Sequence, residues 1–476
     1  MRSFQIDPNK PAPLEPEQVA ALQLGLLELD ETVPEDAPVL DAVTAPLLSQ
    51  DVFNACGGAA TFPRTAVLGG MIAHNVDEAA PVADPRLLLN VTQPFTGMLC
   101  GVQGSGKSHS LGVILESCMS SHPAIGQGGQ TPLAGLVFHF ESITGGTSVQ
   151  PCEAAYLSSP NPRFGDHGAV EVVVAVSLAA LAPMRRVYAK LPNVKVVPLC
   201  FTSADLSVER MLSLMAVNVS EPMPLYMAEV LGVLEEIGSG GSFDLDRFND
   251  AIAEVSSPWT DIQKSHYAQR SFLLNRVISQ GTSVSQLFKP GRLVIVDLTD
   301  PFIDSSRASS LFNICLGLFL EKADCSKIVA LDEAHKYLAG STGADLLTAS
   351  LLSVVRQQRH LGVRTIISTQ EPVVIPPALL DLTTFAMIHR FHAPDWATHL
   401  RKHLGGADDY TLFERAVKLK TGEALLFAPT GAAAKAKTTS LGRGYILMKT
   451  RQRVTLDGGV SVLATDSPRA LRSFTR

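Results

Sequence analysis

The sequence predicts an α/β protein built on one mainly parallel sheet, covered by helices on both faces and carrying a helical insertion. Three observations lead there. Short, wholly apolar runs alternate with helical patterns over about 330 residues, which is how strands buried on both faces read. The first such run of the core enters a glycine-rich turn that opens a helix. Between two sets of strands, from Leu206 to Leu287, the pattern turns helical and stays so.

The elements follow in chain order. Residues 1–40 are rich in Pro, Glu and Asp, with one apolar patch at Val19–Leu29, and read as an acidic, flexible arm. From Asp41 to Asn90 short apolar runs are broken by Gly57-Gly58, Gly69-Gly70, Pro81 and Pro85, which makes 41–90 a small strand-and-loop preface. The core spans 91–459. Its first strands are expected at Thr96–Cys100, Leu136–Phe140, Val170–Val176 and Val194–Cys200, with a helix over Ser108–Met119. The insertion, at 206–287, carries Tyr226, Val230, Leu231 and Leu234 at helical spacing and a break at Gly238–Ser242. Strands return at Leu293–Val296, Ile328–Leu331, Thr365–Ser368, Ala386–His389 and Ala424–Phe427. Tyr445–Arg453 reads as a terminal strand whose basic residues face a ring pore, a neighbour's phosphates or solvent, and 460–476 is a basic tail.

Composition narrows the function classes. Of 476 residues, 46% are hydrophobic and 18% charged, which excludes global disorder. A net charge of −7 excludes a protein that coats nucleic acid by bulk charge. That charge is uneven: residues 1–90 hold 4 basic and 13 acidic side chains, whereas Gly431 to the end holds 9 basic and 2 acidic. Seven cysteines without a CxxC pair predict no zinc site and no disulfide framework, and they favour an intracellular, cytoplasmic or nuclear compartment. The histidines, His389 and His392 included, form no metal set by spacing, and Trp259 and Trp396 read as packing anchors. No signal sequence opens the chain, and no apolar stretch reaches the roughly 20 residues of a membrane span. No membrane insertion is expected.

The strongest motif is Gly101-Val102-Gln103-Gly104-Ser105-Gly106-Lys107-Ser108, which fits GxxxxGK[ST] between a buried strand and a helix. Glycines let successive backbone N–H groups converge on phosphate oxygens, and the helix N-terminus adds positive potential. Lys107 is placed to reach the β- and γ-phosphates of ATP, and the Ser108 hydroxyl to ligate Mg²⁺. His109 follows on the same turn and is grouped with the nucleotide-contacting residues.

Hydrolysis needs more than binding. Two strands end in acid, at Asp297 and at Asp332-Glu333. Only the second has the paired carboxylates that the reaction uses, with Asp332 in the Mg²⁺ shell and Glu333 orienting or deprotonating the attacking water. Asp297 reads as a strand-end turn residue. His335 and Lys336 follow on the same turn, with a packing or solvated role as open as a functional one. Gln370, at the tip of the Thr365–Ser368 strand, is the candidate sensor of the γ-phosphate, with Thr369 second. Arg356 and Arg359 share a helix face. Either is a solvated basic residue or an arginine finger for the γ-phosphate of a neighbouring subunit.

Together these motifs resemble the HerA–FtsK superfamily of P-loop ATPases, in particular its HerA-like branch. The resemblance covers Asn90 to about Ser120 and Gly291 to about Gly459. It rests on the phosphate loop, Asp332-Glu333-Ala334-His335, the Arg356-x-x-Arg359-x-x-Gly362 helix end, Ser368-Thr369-Gln370-Glu371-Pro372 and the late Gly422–Phe427 strand. It implies a RecA-like core working as a homo-oligomeric ring, usually of six, that binds ATP between subunits and moves DNA or another polymer. A nucleotide-controlled interaction protein that moves nothing is the alternative. A DEAH-box helicase would need a second RecA-like core, and the sequence holds one.

Overall fold

The computed structural model describes residues 40–74, 84–127, 132–142, 149–165, 167–191, 193–215, 224–238, 243–278, 281–322, 325–404, 409–432, 441–442 and 444–458. The acidic arm and the basic tail lie outside the described residues.

The 41–90 segment supplies β1 (Leu47–Ser49), β2 (Thr65–His74) and β3 (Arg86–Asn90). The core begins with β4 (Thr96–Cys100), β5 (Gly126–Gln127), β6 (Ala134–His139), β7 (Glu171–Val176) and β8 (Val194–Pro198). It continues with β9 (Arg292–Asp297), β10 (Lys327–Leu331), β11 (Val363–Thr369), β12 (Phe385–Ile388), β13 (Glu423–Phe427) and β14 (Tyr445–Thr450). All belong to one sheet, ordered β1-β3-β2-β14-β13-β12-β4-β11-β10-β6-β9-β7-β8, with β5 on β2. From β12 to β8 every neighbouring pair is parallel. From β12 back to β1 every pair is antiparallel. The fold is the mainly parallel α/β architecture that the apolar runs predict.

Alternation along the strands explains the two covered faces. Side chains of a strand point to opposite faces in turn. Leu136 and Phe138 of β6, with Val294 and Val296 of β9, therefore enter one hydrophobic core. Val137, Leu293 and Ile295 enter the other. The helices on these faces include α1 (Lys107–Met119), α2 (Leu225–Gly238), α3 (Leu245–Val255), α4 (Asp261–Arg270), α5 (Ser305–Lys322) and α6 (Thr342–Arg356). Local chemistry sets several starts. Asp244, Thr260 and Ser341 each cap a helix by accepting a backbone N–H from Arg247, Gln263 and Ala344 respectively.

The insertion is helical, as its spacing predicts, and Tyr226, Val230 and Leu234 are buried in the first core while Leu231 packs partly buried against it. Trp259 anchors this block through ring contacts with Tyr226 and Tyr267 and a 2.6 Å bond from its indole N–H to Glu229. Asp297 serves the turn role expected of it, accepting from the Thr299 N–H at 3.0 Å and the Tyr188 hydroxyl at 2.6 Å.

One expectation is corrected. β14 is not an edge, since it lies between β13 and β2; Lys449 is exposed on it, but Arg451 and Arg453 beyond it are largely covered. Both turn inward onto Glu116 of α1, which is fully buried. A buried carboxylate needs opposite charge and hydrogen bonds, and only this segment supplies them. Among the described residues no helix is long and apolar enough to cross a membrane.

Candidate nucleotide-binding site

The phosphate loop leaves β4 at its carboxyl end, where open parallel sheets present their loops to ligands. Gly101 and Gly106 both have positive φ, 155° and 104°. A Cβ on Gly101 would stand 2.7 Å from the His389 Cβ, and one on Gly106 would stand 2.8 Å from the Gly422 nitrogen. The loop is held from behind. Val102 N–H donates to the Arg390 carbonyl at 3.0 Å, and Gly422 N–H donates to the Ser105 carbonyl at 3.1 Å. Gly104 is exposed at the crest, Ser105 is fully buried, and Ser108 is half-buried on the first turn of α1.

His389 backs this loop. It is fully buried, and its Nδ1 lies 2.9 Å from the Glu423 carbonyl. Burial drives its pKa down to about 4, so the ring is neutral and Nδ1–H donates.

Three neighbouring strand ends complete the site. β10 delivers Asp332 and Glu333, and β11, between β4 and β10, delivers Ser368 and Gln370. Lys107 Nζ donates to Glu333 Oε1 at 2.8 Å and to Ser368 Oγ at 3.3 Å. Gln370 Nε2 donates to the same Glu333 oxygen at 2.8 Å, and Ser368 Oγ donates to Asp332 Oδ1 at 3.4 Å. Burial opposes a charge on Asp332, but His139 and Lys107 outweigh it and hold the carboxyl below the usual range. Glu333 is the only non-glycine among the described residues in the left-handed region, at φ 51° and ψ 44°. That conformation is unfavourable for an L-residue with a long side chain, and it aims the carboxylate at Lys107.

The other sequence candidates fall differently. Thr369 serves its own turn, its hydroxyl donating to the Glu371 carbonyl at 3.2 Å. His335 Nδ1 accepts the Gln370 N–H at 3.4 Å, and Lys336 pairs with Glu141. His109 has both ring nitrogens on the C-terminal segment, 2.5 Å from Asp457 Oδ2 and 2.8 Å from the Arg451 carbonyl. Arg356 and Arg359 are exposed at the end of α6 and just beyond, before β11 begins. Gln358 between them accepts from Thr96, the first residue of β4, at 2.9 Å. They therefore stand at the amino edge of the sheet, a full strand length from their own chain's phosphate loop.

Sequence reasoning gave no site role to three residues. Ser368 links Lys107 to Asp332, and nothing marks a serine near a strand tip as special. His139 ends β6 at the same edge, its Nδ1 3.5 Å from Asp332 Oδ2, and Cys152 lies beside it. Their separation in sequence hides both.

No family model and no curated protein matches the chain. Among solved structures, it is similar to VirB4 of Thermoanaerobacter pseudethanolicus, at 12% identity over 81% of this chain and 97% of that one, with a TM-score of 0.46. It is similar to EssC (ATPases 2 and 3) from Geobacillus thermodenitrificans at 14% identity, 86% of this chain and 47% of that one, TM-score 0.32. The genome packaging NTPase B204 from Sulfolobus turreted icosahedral virus 2, in complex with ATP-gammaS, matches at 16% identity, 32% and 68%, TM-score 0.23. With likenesses this distant, the functional reading rests on the residues themselves.

Proposed function

We propose that this chain is a Mg²⁺-dependent ATPase of HerA-like type, a P-loop motor that assembles as a homo-oligomeric ring and moves DNA or another polymer. One observation carries the chemistry. The Lys107 ammonium and the Gln370 amide converge on a single oxygen of Glu333, which an unfavourable backbone holds beside Asp332. The strained backbone at Glu333 costs stability, which a purely structural ion pair would not require.

The residues divide the work. Gly101, Gly104 and Gly106 let the backbone N–H groups of the loop close around phosphate oxygens, with Ser105 and the N-terminus of α1 beneath them. Lys107 leaves Glu333 for the β- and γ-phosphates, which frees the carboxylate to take a proton from water or orient it. Gln370, bonded to that carboxylate, reports the γ-phosphate to β11. The oxygen donors Ser108 and Asp332 suit a hard cation, and Asp332 is held ionised. Bound there, Mg²⁺ supplies charge neutralisation of the transferring phosphate.

Arg356 and Arg359 cannot serve their own chain's loop from the amino edge, so a finger role requires a second subunit. That requirement supports the ring. Turnover per chain should then rise with protein concentration and fall in Arg356→Ala or Arg359→Ala.

The deciding experiment measures binding of a fluorescent ATP analogue beside hydrolysis, with and without DNA. Lys107→Ala should lose binding. Glu333→Gln should keep it while turnover drops by about 10²–10⁴-fold, the usual contribution of a positioned base. Normal turnover in Glu333→Gln would overturn the assignment of the carboxylate, and no saturable binding to the intact chain would overturn the whole reading.

A further inference from the structure

Behind the carboxylate that faces the phosphate loop lies a second group of donors. His139, Cys152 and Asp332 each offer one ligand atom, and these atoms all lie within 4.8 Å of one another. They come from separate parts of the chain. His139 ends β6, Asp332 follows β10, and Cys152 precedes the 3-10 turn at Glu153–Ser158. Cys152 is free and 1% exposed, and Asp332 is 4% exposed. His139 Nδ1 is buried and has no hydrogen-bond partner, although Asp332 Oδ2 is 3.5 Å away. A buried ring nitrogen with no closer polar contact than a carboxylate 3.5 Å away, and a free thiol beside it, calls for an explanation.

We propose that His139, Cys152 and Asp332 form a site for one divalent transition-metal ion of the zinc class. Ligand atoms 2.0–2.1 Å from a tetrahedral zinc stand about 3.4 Å apart. The His139–Asp332 separation is already 3.5 Å. A thiolate and a carboxylate bring two negative charges to a divalent ion, with the neutral imidazole as third ligand. Binding forms the metal–sulfur bond and releases the Cys152 proton to solvent, together with any proton on the coordinating ring nitrogen. Sulfur and imidazole donors select zinc or cobalt over Mg²⁺, which takes oxygen donors. Three protein ligands leave a fourth position for water, and the partly exposed His139 ring gives the ion a way in.

The site meets the nucleotide chemistry at one residue. Asp332 Oδ1 accepts from Ser368 on the phosphate-loop side, while Oδ2 faces His139. An ion on Oδ2 withdraws charge from the carboxylate assigned to Mg²⁺. Zinc loading should therefore slow ATP turnover, a consequence that rests on the function proposed above.

The test uses the full chain, reduced and stripped of metal, titrated with Co²⁺ alone. One equivalent should bind with a thiolate-to-cobalt charge-transfer band, displaced by equimolar Zn²⁺ and unmoved by a large excess of Mg²⁺. Cys152→Ser should abolish the band, Cys118→Ser should keep it, and His139→Gln should weaken Co²⁺ binding at least tenfold. Absence of the band from the intact chain, which depends on no variant folding, would overturn the site; so would its survival in Cys152→Ser. Binding of a fluorescent ATP analogue, followed in the same preparation, separates the two readings. A cobalt band without nucleotide binding removes the ATPase reading alone, and nucleotide binding without the band removes the metal site alone.

Discussion

Helix α1 carries a buried charge network toward each end, and the two are built in opposite ways. Near its C-terminal end Glu116 is saturated. Oε2 takes Arg451 at 2.7 Å and the Val454 N–H at 3.3 Å, while Oε1 takes Arg453 at 3.4 Å and the Thr455 N–H at 2.9 Å. Arg453 continues to Glu153 at 2.7 Å. At its N-terminal end Lys107 joins a network with gaps: Glu333 Oε2, Ser105 Oγ and His139 Nδ1 are buried without hydrogen-bond partners, and Glu333 sits in a left-handed backbone. A saturated network fixes one structure. An unsaturated, strained one keeps donors and acceptors for something that is not protein.

Breaking each network should read out differently, and the largest effect belongs to the saturated one. Glu116→Ala leaves Arg451 without its carboxylate and Arg453 with Glu153 alone; removing one partner of a buried ion pair typically destabilises by about 3–5 kcal/mol. Glu333→Gln keeps an oxygen for Lys107 and neutralises a strained, incompletely bonded carboxylate, so it should lose less than Glu116→Ala. Guanidinium unfolding of the two variants checks this directly. Equal losses would dissolve the distinction between the two ends.

Acid separates them next. His389, behind the phosphate loop, has a folded pKa of about 4 against 6.5 unfolded. The unfolded chain therefore takes up a proton that the folded chain refuses, and stability falls as pH drops from about 6.5 to about 4. Over that window the loss amounts to about 3 kcal/mol. Glu116 behaves otherwise. Burial opposes its ionisation, but Arg451 and Arg453 outweigh burial and hold its pKa below the usual value. Its contribution persists above the ordinary carboxylate range and disappears only as pH falls through its lowered folded value. Between pH 7.5 and 4.5 the destabilisation on acidification should be smaller in His389→Asn than in the parent, and unchanged in Glu116→Gln.

The same contrast explains what was legible in the sequence. The core strands and the Lys107, Asp332, Glu333 and Gln370 positions were readable because a parallel sheet gathers the carboxyl ends of its strands. A motif recognised locally at each strand end is thereby delivered to one place. Glu116 was unreadable because its partners lie more than 300 residues away, and because a glutamate in an otherwise apolar helix carries no sign of what neutralises it. Arg451 and Arg453, read alone, look like surface charge. Cys152 and His139 failed for the same reason: zinc spacing rules describe ligands on one short segment, and these lie beside Asp332, which follows a distant strand.

The smallest effect tests the strain itself. Glu333→Ala and Glu333→Gly both delete the carboxylate and both leave Lys107 without its anion, so their difference isolates the backbone. At an ordinary helical position alanine is the more stable of the pair by roughly 0.5–1 kcal/mol. At φ 51° the preference should invert, because the alanine Cβ crowds the following carbonyl and glycine has none. Glycine should therefore be the more stable by about 1 kcal/mol, measured as the difference in denaturant midpoints at constant slope. If alanine proves equal or better, the backbone relaxes once the side chain is gone. The left-handed turn would then be made by the Lys107–Glu333 bond, and the geometry that aims the carboxylate would follow Lys107 whenever it moves to a phosphate.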